Sequence, residues 1–549
     1  MKSKMKAGCL FFCMALIFTG CPNPTGGGNL SESIPDYTVK LVFDTWEAYL
    51  TVPMGSVIKG RQGCTRPGIN DDTIWGRKNQ DDSWNALVDE EDLEFEPIVI
   101  SGKTIIADRE DLENITNDSG SYVLVADIDL KEKEWTPFPR PFKGHLNGAG
   151  HTIKRFKFAQ ENGGLFQTLG ENAVVENLNV QLAGNENRQL GKIGTIAVKA
   201  EGNSKVRNVA VSGSISGTAN GNFIGGIVGA GNSSISISDC SFTGNISVIK
   251  NNKHLYLGGI TGSFVGLSSA GDISGCSYSG NISITKDLSA DTSGKANVGG
   301  IAGDFAAGTI QACYSSGDIS VAAENTRETM AGGLTGGFTG DDAEIADSYF
   351  IGDVIVKGGQ SVYVGGVVAN NSGYYISKTR RCYAVGAIQG EASDVCYAGG
   401  ITGRSTVGYI SAVLESCFAA GTVSSKVVDK QGSSSQAGGI AGVANGTLSG
   451  CASAVTSISA IGSETSTATT VSRIAHTSGN TSNNRAYSGT VLKNNGTIVS
   501  LAGETTGGDT MHGETTASIE DLKNHVFSQW DTTNIWHWIP GTTEYPVLK

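Results

Sequence analysis

The stretch Met330–Val356, MAGGLTGGFTGDDAEIADSYFIGDVIV, contains the pattern that decides the fold. A glycine pair followed by Ile, Leu or Val recurs through the middle of the chain, at steps of 33, 41, 33, 33, 34 and 39 residues. These pairs begin at Gly225, Gly258, Gly299, Gly332, Gly365, Gly399 and Gly438. The array has about ten copies in all. The others are an earlier pair at Gly163 and degenerate copies at Ile193–Ile196 and Val471–Ile474. Repeats of this length predict a solenoid.

A second landmark follows each glycine pair, and in the quoted stretch it is Ile345-Ala346-Asp347-Ser348. Gly352 stands four residues later, and the β-branched Val354 follows it. Short β-branched runs separated by glycine, without a long helical period, predict strands. We therefore expect an all-β chain whose repeats form the coils of a right-handed parallel β-solenoid. Equivalent residues of successive coils should then stack about 4.8 Å apart.

The repeats resemble the GLUG motif of bacterial surface proteins and some secreted peptidases. The resemblance includes a lead-in at Tyr122–Leu130 and Phe142–Ile153. Nearer the N-terminus, Thr65–Gly68, Trp75, Trp84 and Lys103–Ala107 resemble a degenerate internalin-type B-repeat. That second resemblance implies a small β-grasp-like module ahead of the solenoid.

The N-terminal residues have the order of a secretory signal. Lys2, Lys4 and Lys6 precede the uncharged stretch 7–19, and Gly20-Cys21 follows it. The segment 18–21 resembles a bacterial lipobox, which implies lipidation at Cys21. An ordinary signal peptide with an incidental cysteine is the alternative. The resemblance places the protein at the bacterial outer membrane or cell surface, anchored by lipid.

These features divide the chain into six parts. They are a signal peptide at 1–20, a flexible tether at 21–36, a small β module at 37–107, a cap with lead-in coils at 108–162, the solenoid at 163–505 and a C-terminal cap at 506–549.

Composition narrows the choice of partner. The 549 residues include 40 Lys and Arg against 53 Asp and Glu, a formal net charge of −13. A nucleic-acid binder needs a basic surface to displace counterions from phosphates. We therefore expect no nucleic-acid partner.

One repeat column is rich in cysteine, and its members are Cys240, Cys276, Cys313, Ser348, Cys382, Cys417 and Cys451. Stacked Cα atoms about 4.8 Å apart fall within disulfide range, but parallel side chains in register are poorly aimed for the bond. We expect buried free thiols that fill the core.

The residue after each cysteine should face outward, because side chains alternate along a strand. This places Tyr314, Tyr349, Tyr383 and Phe418 on four consecutive coils as an aromatic stripe. Exposed, the stripe would be a candidate binding surface for a host protein or glycan. Stacking of the rings on one another, which stabilises the coils, is the alternative.

Charged residues fall beside the same column. The register predicts three pairs between neighbouring coils: Asp347 with Arg381, Arg380 with Glu415, and Glu344 with Lys378. Ion pairing on a solvated face explains them. The alternative is a polysaccharide-cleaving cluster, which would need proton donors and acceptors that are not already paired.

We find no catalytic motif, no metal-ligand pattern and no cofactor signature. The sequence therefore favours a non-enzymatic, lipid-anchored surface protein that acts in adhesion or extracellular recognition. Two alternatives remain open: a carbohydrate-active or peptidase-associated enzyme, and a structural spacer in the envelope. The expected partners are the membrane, through the lipid, and a host protein or glycan; the oligomeric state is left open.

Overall fold

A computed structural model describes most of the chain outside its N-terminal segment. The described residues are 36–43, 46–53, 58, 75–77, 93–97, 103–159, 162–232, 234–251, 254–265, 271–286, 294–322, 324, 326–338, 340, 343–372, 377–406, 412–428, 432–463, 468–477, 479–500, 511–528, 530–531, 535–537 and 545–548. The signal peptide and the predicted lipid site, Cys21, lie outside them. The chain forms two compact units, residues 100–530 and residues 1–99 with 531–549.

The smaller unit contains a four-stranded mixed sheet. Its strands are Asp36–Phe43, Trp46–Pro53, Trp75–Arg77 and Glu94–Pro97. The first two form an antiparallel hairpin, the first and fourth are parallel neighbours, and the third lies antiparallel to the fourth. Val39, Trp75 and Phe95 are fully buried in its core. Two further short strands of this unit, Trp536–His537 and Val547–Leu548, pair antiparallel. This sheet lies within the predicted module at 37–107, but the strand Thr104–Ile106 of that range pairs with Ser121–Leu124 in the larger unit.

The larger unit is a parallel β-solenoid, as the repeats predict. Each coil contributes strands to three sheets, and nearly all pairings between coils are parallel. The long sheet has these strands: Thr104–Ile106, Ser121–Leu124, Ile128–Asp129, Glu134–Trp135, His145–Asn147, Thr152–Phe158, Val174–Leu182, Asn185–Leu190, Lys205–Ser212, Ile215–Ala219, Ser236–Ser238, Ser241–Thr243, Ile246–Lys250, Asp272–Ser274, Ser277–Ser279, Ile282–Lys286, Thr309–Gln311, Tyr314–Ser316, Ile319–Ala322, Glu344–Ala346, Tyr349–Ile351, Val354–Lys357, Lys378–Arg380, Tyr383–Ala392, Val413–Glu415, Phe418–Val427, Thr447–Ser449, Ala452–Ile461, Asn480–Ser482, Arg485–Tyr487, Val491–Asn494, Thr497–Ile498 and Glu514–Thr516.

The other two sheets lie on either side of the glycine pairs. Over the described residues, the strand before each pair belongs to a nine-strand sheet: Ile193–Gly194, Phe223–Gly225, Leu255–Gly258, Lys295–Gly299, Glu328–Gly332, Ser361–Gly365, Val395–Gly399, Ser434–Gly438 and Ala468–Ser472. The strand after it belongs to a ten-strand sheet: Phe166–Leu169, Ala197–Ala200, Val228–Asn232, Thr261–Val265, Ala302–Phe305, Thr335–Phe338, Val368–Asn371, Thr402–Ser405, Ala441–Ala444 and Ala475–Thr477.

Two helices flank the coils. Helix α1, Arg109–Glu113, begins at Asp108, whose side chain accepts a hydrogen bond from the Asp111 backbone N–H at 3.0 Å. Helix α2, Ile519–Phe527, begins at Ser518, whose side chain accepts a hydrogen bond from the Asp521 backbone N–H at 3.2 Å. Both caps satisfy an N–H that the first helical turn leaves without a partner. Among the described residues, no helix is both long and apolar enough to cross a membrane.

Columns of identical or similar apolar side chains fill the interior of the solenoid. Ile237, Ile273, Ile310 and Ile345 are partners on successive coils and are fully buried. The cysteine column lies beside them, and its six thiols are buried and free. The prediction of a buried thiol column is confirmed.

The glycine pairs are required by the close approach of neighbouring coils. A Cβ on Gly333 would lie 2.1 Å from the carbonyl oxygen of Gly366 and 2.2 Å from Cγ of Phe350. Neither group has room to move, because one is backbone of the next coil and the other is a buried ring. Only a residue without a side chain fits at this position.

We expect Gly333→Ala to lower the free energy of unfolding by about 3 kcal/mol, because the added methyl group overpacks the coil. Gly184→Ala is the matched control, since nothing lies within 4 Å of its added Cβ. Thermal and urea denaturation of the two variants test this. Equal stability of the two variants would contradict the packing argument.

Candidate functional site

At one corner of each coil, a residue in the left-handed backbone conformation sets the direction of the side chains that follow it. The residue before each cysteine-column position has a positive φ, for example +53° at Asp239, +52° at Ala312, +49° at Asp347 and +50° at Arg381. This conformation is uncommon outside glycine, and here it bends the chain between two short strands. The bend turns the cysteine inward and the following residue outward.

The aromatic stripe forms in the predicted register. Tyr314, Tyr349, Tyr383 and Phe418 are partners on consecutive coils. The rings of Tyr314 and Tyr349 stack with centroids 5.1 Å apart and planes 6° apart. Those of Tyr349 and Tyr383 stack at 4.8 Å and 1°. The in-register prediction is confirmed.

The prediction that the stripe is exposed is wrong. Tyr383 and Phe418 are fully buried, and Tyr349 is 7 % exposed. The C-terminal helix α2 and the residues after it cover this part of the stripe. Phe527 lies 5.1 Å from Phe418 between ring centroids, and Trp530 lies 6.3 Å from Tyr383.

A hydrogen bond fixes this cover. The indole Nε1–H of Trp530 donates to the carbonyl oxygen of Ser416 at 3.1 Å, in a buried position. The stripe is therefore a docking surface for the protein's own C-terminal helix, and only Tyr314 remains half-buried at its edge. The candidate binding stripe is withdrawn as a surface for an external partner.

The charged face is only partly as predicted. Arg381 donates two hydrogen bonds to Asp347, at 2.6 and 2.7 Å, and Asp347 is fully buried. These hydrogen bonds raise the pKa of the Arg381 guanidinium above its ordinary value. This predicted pair is confirmed.

The other two predicted pairs are replaced by one diagonal contact. Lys378 lies directly beside Glu344, and Arg380 directly beside Glu415. However, Arg380 reaches diagonally to Glu344, with Nε 2.5 Å from the carboxylate. The long guanidinium side chain spans two positions along the strand. Asp347 and Glu344 are thus both neutralised by arginine, which disfavours the reading of this face as an acid–base cluster.

A buried carboxylate near the start of the solenoid is also paired. Glu176 accepts hydrogen bonds from His145 Nε2 at 2.7 Å, from Asn147 Nδ2 at 2.8 Å and from Arg207 Nε. Burial alone raises the pKa of Glu176, but the hydrogen bonds from His145 and Arg207 outweigh it and hold the pKa below its ordinary value. The arrangement ties three coils together and leaves Glu176 ionised.

A second strip of side chains, which the repeat pattern did not reveal, lies on the outer side of the strands; we call it the amide strip. It follows the glycine pairs, where the nine-strand and ten-strand sheets meet. One wall is the column Tyr256, Asn297, Met330, Tyr363, Tyr397 and Gln436, two residues before each glycine pair. The other wall is the column Ser263, Asp304, Gly337, Asn370, Arg404 and Val443.

Glycine brings the two walls together. A Cβ on Gly336 would lie 2.4 Å from the backbone nitrogen of Val298 and 2.7 Å from the carbonyl oxygen of Met330. The strand after the glycine pair therefore presses against the strand before it, and side chains from both sheets line one narrow strip. The hydrophobic part of this contact is formed by Met330, Tyr363 and Ala369.

The strip contains both aromatic rings and charged groups. The rings of Tyr363 and Tyr397 lie 5.6 Å apart. The guanidinium of Arg404 lies 5.2 Å from the centroid of the Tyr363 ring, and its Nη1 donates to the Tyr363 hydroxyl at 3.3 Å. Asn297 donates from Nδ2 to Asp304 at 3.3 Å. Tyr256, Asp304, Tyr397 and Arg404 are half-buried, so the strip is partly open to solvent.

Three amide oxygens of the strip have no hydrogen-bond partner. They are Asn297 Oδ1, Asn370 Oδ1 and Gln436 Oε1, on residues that are 3 %, 5 % and 9 % exposed. Leaving a buried acceptor unsatisfied costs about 1–3 kcal/mol. Asn297 and Gln436 lie on one wall of the strip and Asn370 on the other. Buried side-chain atoms without a partner also occur in the interior of the described coils, for example at Ser204, Thr379 and Ser453.

A cavity of about 330 Å³ adjoins the strip on the nine-strand sheet. It is lined by Lys295, Arg327, Glu328, Gln360 and Ser361. Lys295 and Glu328 stand two residues before Asn297 and Met330 on the same strands, and they form an ion pair at 2.6 Å. The recess therefore continues the amide strip along the strand direction. The described part of the chain contains no group of three or more His, Cys, Asp or Glu side chains placed to hold a metal ion.

Comparison with known proteins yields distant similarities only. No family model matches the chain. Over 144 residues it is 32 % identical to halomucin from Haloquadratum walsbyi, a match that covers 23 % of this chain and 2 % of halomucin. The chain thus spans a very small part of that relative's length.

Two of the solved structures that match the chain are distant from it. One is a Bacteroides ovatus protein described as a candidate immunoglobulin A1 protease, with 16 % identity and a TM-score of 0.28 over 82 % of this chain and 93 % of that one. The other is an IgA1 protease, with 18 % identity and a TM-score of 0.34 over 68 % of this chain and 25 % of that one.

Removing the cover of the aromatic stripe should expose Tyr383. We expect Phe527→Ala and Trp530→Ala each to lower the free energy of unfolding by about 3 kcal/mol, as for other buried aromatic truncations. Nitration with tetranitromethane, followed by peptide mass analysis, measures exposure. Tyr383 should react in the double variant and not in the wild type, while the half-buried Tyr314 serves as the internal reference. Protection of Tyr383 in the folded double variant would contradict the docking of α2.

Asp304 should make stability depend on pH. Burial raises its pKa to about 6, from an ordinary value near 3.8. The folded state therefore holds a proton that the unfolded state releases, and stability falls as pH rises from about 4 through 6. Asp304→Asn keeps the acceptor for Asn297 and should raise the free energy of unfolding by about 3 kcal/mol at pH 7.5. The gain should vanish at pH 3.5, where the aspartic acid is protonated in both states. Urea titrations at the two pH values measure this, and a gain of equal size at both would contradict it.

Proposed function

We propose that the protein is a lipid-anchored protein of the bacterial cell surface that uses its β-solenoid for non-enzymatic recognition. The observation that carries the proposal is the amide strip, where three buried amide oxygens lack partners beside half-buried tyrosine rings. Ligand-binding surfaces often retain such unfavourable groups.

Three ion-paired carboxylates of the solenoid are poorly suited to acid–base catalysis. Asp347 and Glu344 are paired with arginines, and Glu176 accepts hydrogen bonds from His145 and Arg207. A hydrolytic pair would need one carboxyl group poised to donate a proton and another free to act on a water molecule or the substrate. Asp304 has a raised pKa, but its contact is an amide rather than a second carboxylate.

The membrane anchor follows from the N-terminal sequence. A lipid at Cys21 and the turn-rich tether after it would hold the folded units away from the membrane surface. This arrangement leaves the length of the solenoid open to partners.

Anchoring is tested by expressing the full chain in a bacterial host that has an outer membrane and labelling it with radioactive palmitate. We expect the wild type to carry label and to sediment with membranes, and Cys21→Ser to lose both properties. Cys13→Ser is the matched control, because it lies in the leader ahead of the cleavage site and should keep both. Equal labelling of Cys21→Ser and wild type would contradict the lipid site.

Recognition is tested with the lipid-free mature protein on immobilised extracellular-matrix proteins, mucin and polysaccharides. We expect reversible retention on at least one surface, without release of peptides or reducing sugar ends from it. Time-dependent cleavage of a retained ligand would favour an enzyme. The absence of retention on every surface would favour a spacer.

A further inference from the structure

The recess of about 330 Å³ beside the amide strip contains an arginine that is not ion-paired. The residues that line it are Lys295, Arg327, Glu328, Gln360 and Ser361. Glu328, the carboxylate among them, is paired with Lys295 at 2.6 Å. Arg327 is exposed, and its side chain forms no ion pair in the part of the chain that the structure describes. The recess therefore offers a guanidinium group to an incoming anion.

A second guanidinium group reaches the edge of this recess from the ten-strand sheet. Arg404 donates from Nη1 to the Tyr363 hydroxyl at 3.3 Å. Burial raises the pKa of that hydroxyl, while the charge of Arg404 and the nearby Ser361 side chain oppose the increase. The Tyr363 hydroxyl therefore lies close both to Arg404 and to Ser361, which lines the recess.

Arg404 is well arranged to bind an anion. Its one hydrogen-bond partner among the described residues is a neutral hydroxyl, so most of its five N–H donors remain available. Its guanidinium group lies 5.2 Å from the centroid of the Tyr363 ring. Stacking on a ring holds the planar group in place, so less side-chain freedom is lost when a ligand binds. The planar donor pair of arginine matches two oxygens of an anionic group.

The charge at the recess is positive, although the chain as a whole has a net charge of −13. Lys295, Arg327 and Arg404 are positive, and Glu328 is the negative residue of the lining. A local excess of positive charge attracts anionic ligands and raises their rate of association. The recess and Arg404 therefore favour an acidic ligand over an uncharged one.

The neutral groups of the recess favour an acidic sugar over an acidic peptide. Gln360 and Ser361 place an amide and a hydroxyl beside Arg327. A sugar acid carries its anionic group and several hydroxyls on one ring, and each hydroxyl can donate and accept. The half-buried ring of Tyr397, 5.6 Å from that of Tyr363, offers apolar surface to the carbon atoms of such a ring. Acidic peptides carry their carboxylates on flexible side chains, whose ordering opposes binding.

We propose that the recess at Arg327, Gln360 and Ser361, together with Arg404 on the Tyr363 ring, binds an acidic polysaccharide. This inference rests on the proposed recognition function and names its site and ligand class. The binding is non-covalent. The two arginines bind carboxylate or sulfate groups of the polymer, and Gln360 and Ser361 bind its hydroxyl groups.

The ligand class is tested by biolayer interferometry with the folded mature protein carrying Cys21→Ser. The immobilised polymers are hyaluronan, dextran sulfate, dextran and polyglutamate. Hyaluronan carries carboxylates and dextran sulfate carries sulfates, so the two distinguish the sources of the anionic group. We expect binding to at least one of them, none to dextran, and at least tenfold weaker binding to polyglutamate. Binding to polyglutamate alone, equal binding to dextran, or no binding would overturn the proposal.

The site is tested with three substitutions of arginine by glutamine. Arg327→Gln and Arg404→Gln should each weaken binding about tenfold at low salt, because each removes a charge-assisted contact. Each should also lower the slope of log affinity against log salt concentration by about one. Arg140→Gln is the matched control, since Arg140 also lies over a ring, that of Phe138 at 5.8 Å, but belongs to the lead-in coils. It should bind as the wild type does.

Arg404→Lys separates charge from geometry. Lysine keeps the positive charge but lacks the planar donor pair. This variant should keep the salt slope of the wild type and lose part of the affinity. Thermal midpoints show whether each variant is folded, and only folded variants are compared.

The outcomes distinguish this inference from the proposed function. If Arg327→Gln and Arg404→Gln bind the acidic polymers as Arg140→Gln does, the recess is not the site. If the protein is retained on matrix proteins or mucin but on neither acidic polysaccharide, recognition stands and the acidic-polysaccharide site falls.

Discussion

The structure depends on backbone hydrogen bonds between consecutive coils that keep equivalent residues in register. Because the bonds connect one coil to the next, a side chain at one position always lies beside the side chain at the same position one repeat away. This constraint gives the buried isoleucine and cysteine columns, the stacked tyrosines and the amide strip. It also requires glycine where coils approach most closely, as at Gly333, where even a methyl group would collide with the next coil.

The fold could be read from the sequence because the same constraint leaves a repeating pattern. The spacing of the glycine pairs predicted the coils, and the column of Cys276 and Cys313 predicted a buried stack. Ion pairs were less predictable. Register placed Arg380 beside Glu415, yet the side chain is long enough to reach Glu344 diagonally, and the choice between them depends on side-chain geometry that register alone does not fix.

The exposure of the aromatic stripe could not be predicted from the repeat. Alternation correctly placed Tyr383 and Phe418 on the outer face, but Trp530 covers them from a position 114 residues after Ser416, to which it donates a hydrogen bond. Nothing in the repeat indicates which distant helix will dock there. The amide strip could have been recognised in the sequence, since Tyr256, Asn297, Tyr397 and Gln436 all stand two residues before a glycine pair. The sequence could not show which side-chain oxygens of the strip lack hydrogen-bond partners, because this depends on side-chain geometry.

The docking of α2 has a mechanical consequence. Hydrogen bonds between coils run along the axis of the solenoid, so a pull along that axis would separate coils one at a time from the free end. Helix α2 and Trp530 lie across this end: His525 contacts the carbonyl of Asn483, and Trp530 contacts that of Ser416. A pulling force on the last coils is therefore shared with coils farther inside. The helix in this way resists the stepwise separation of the coils.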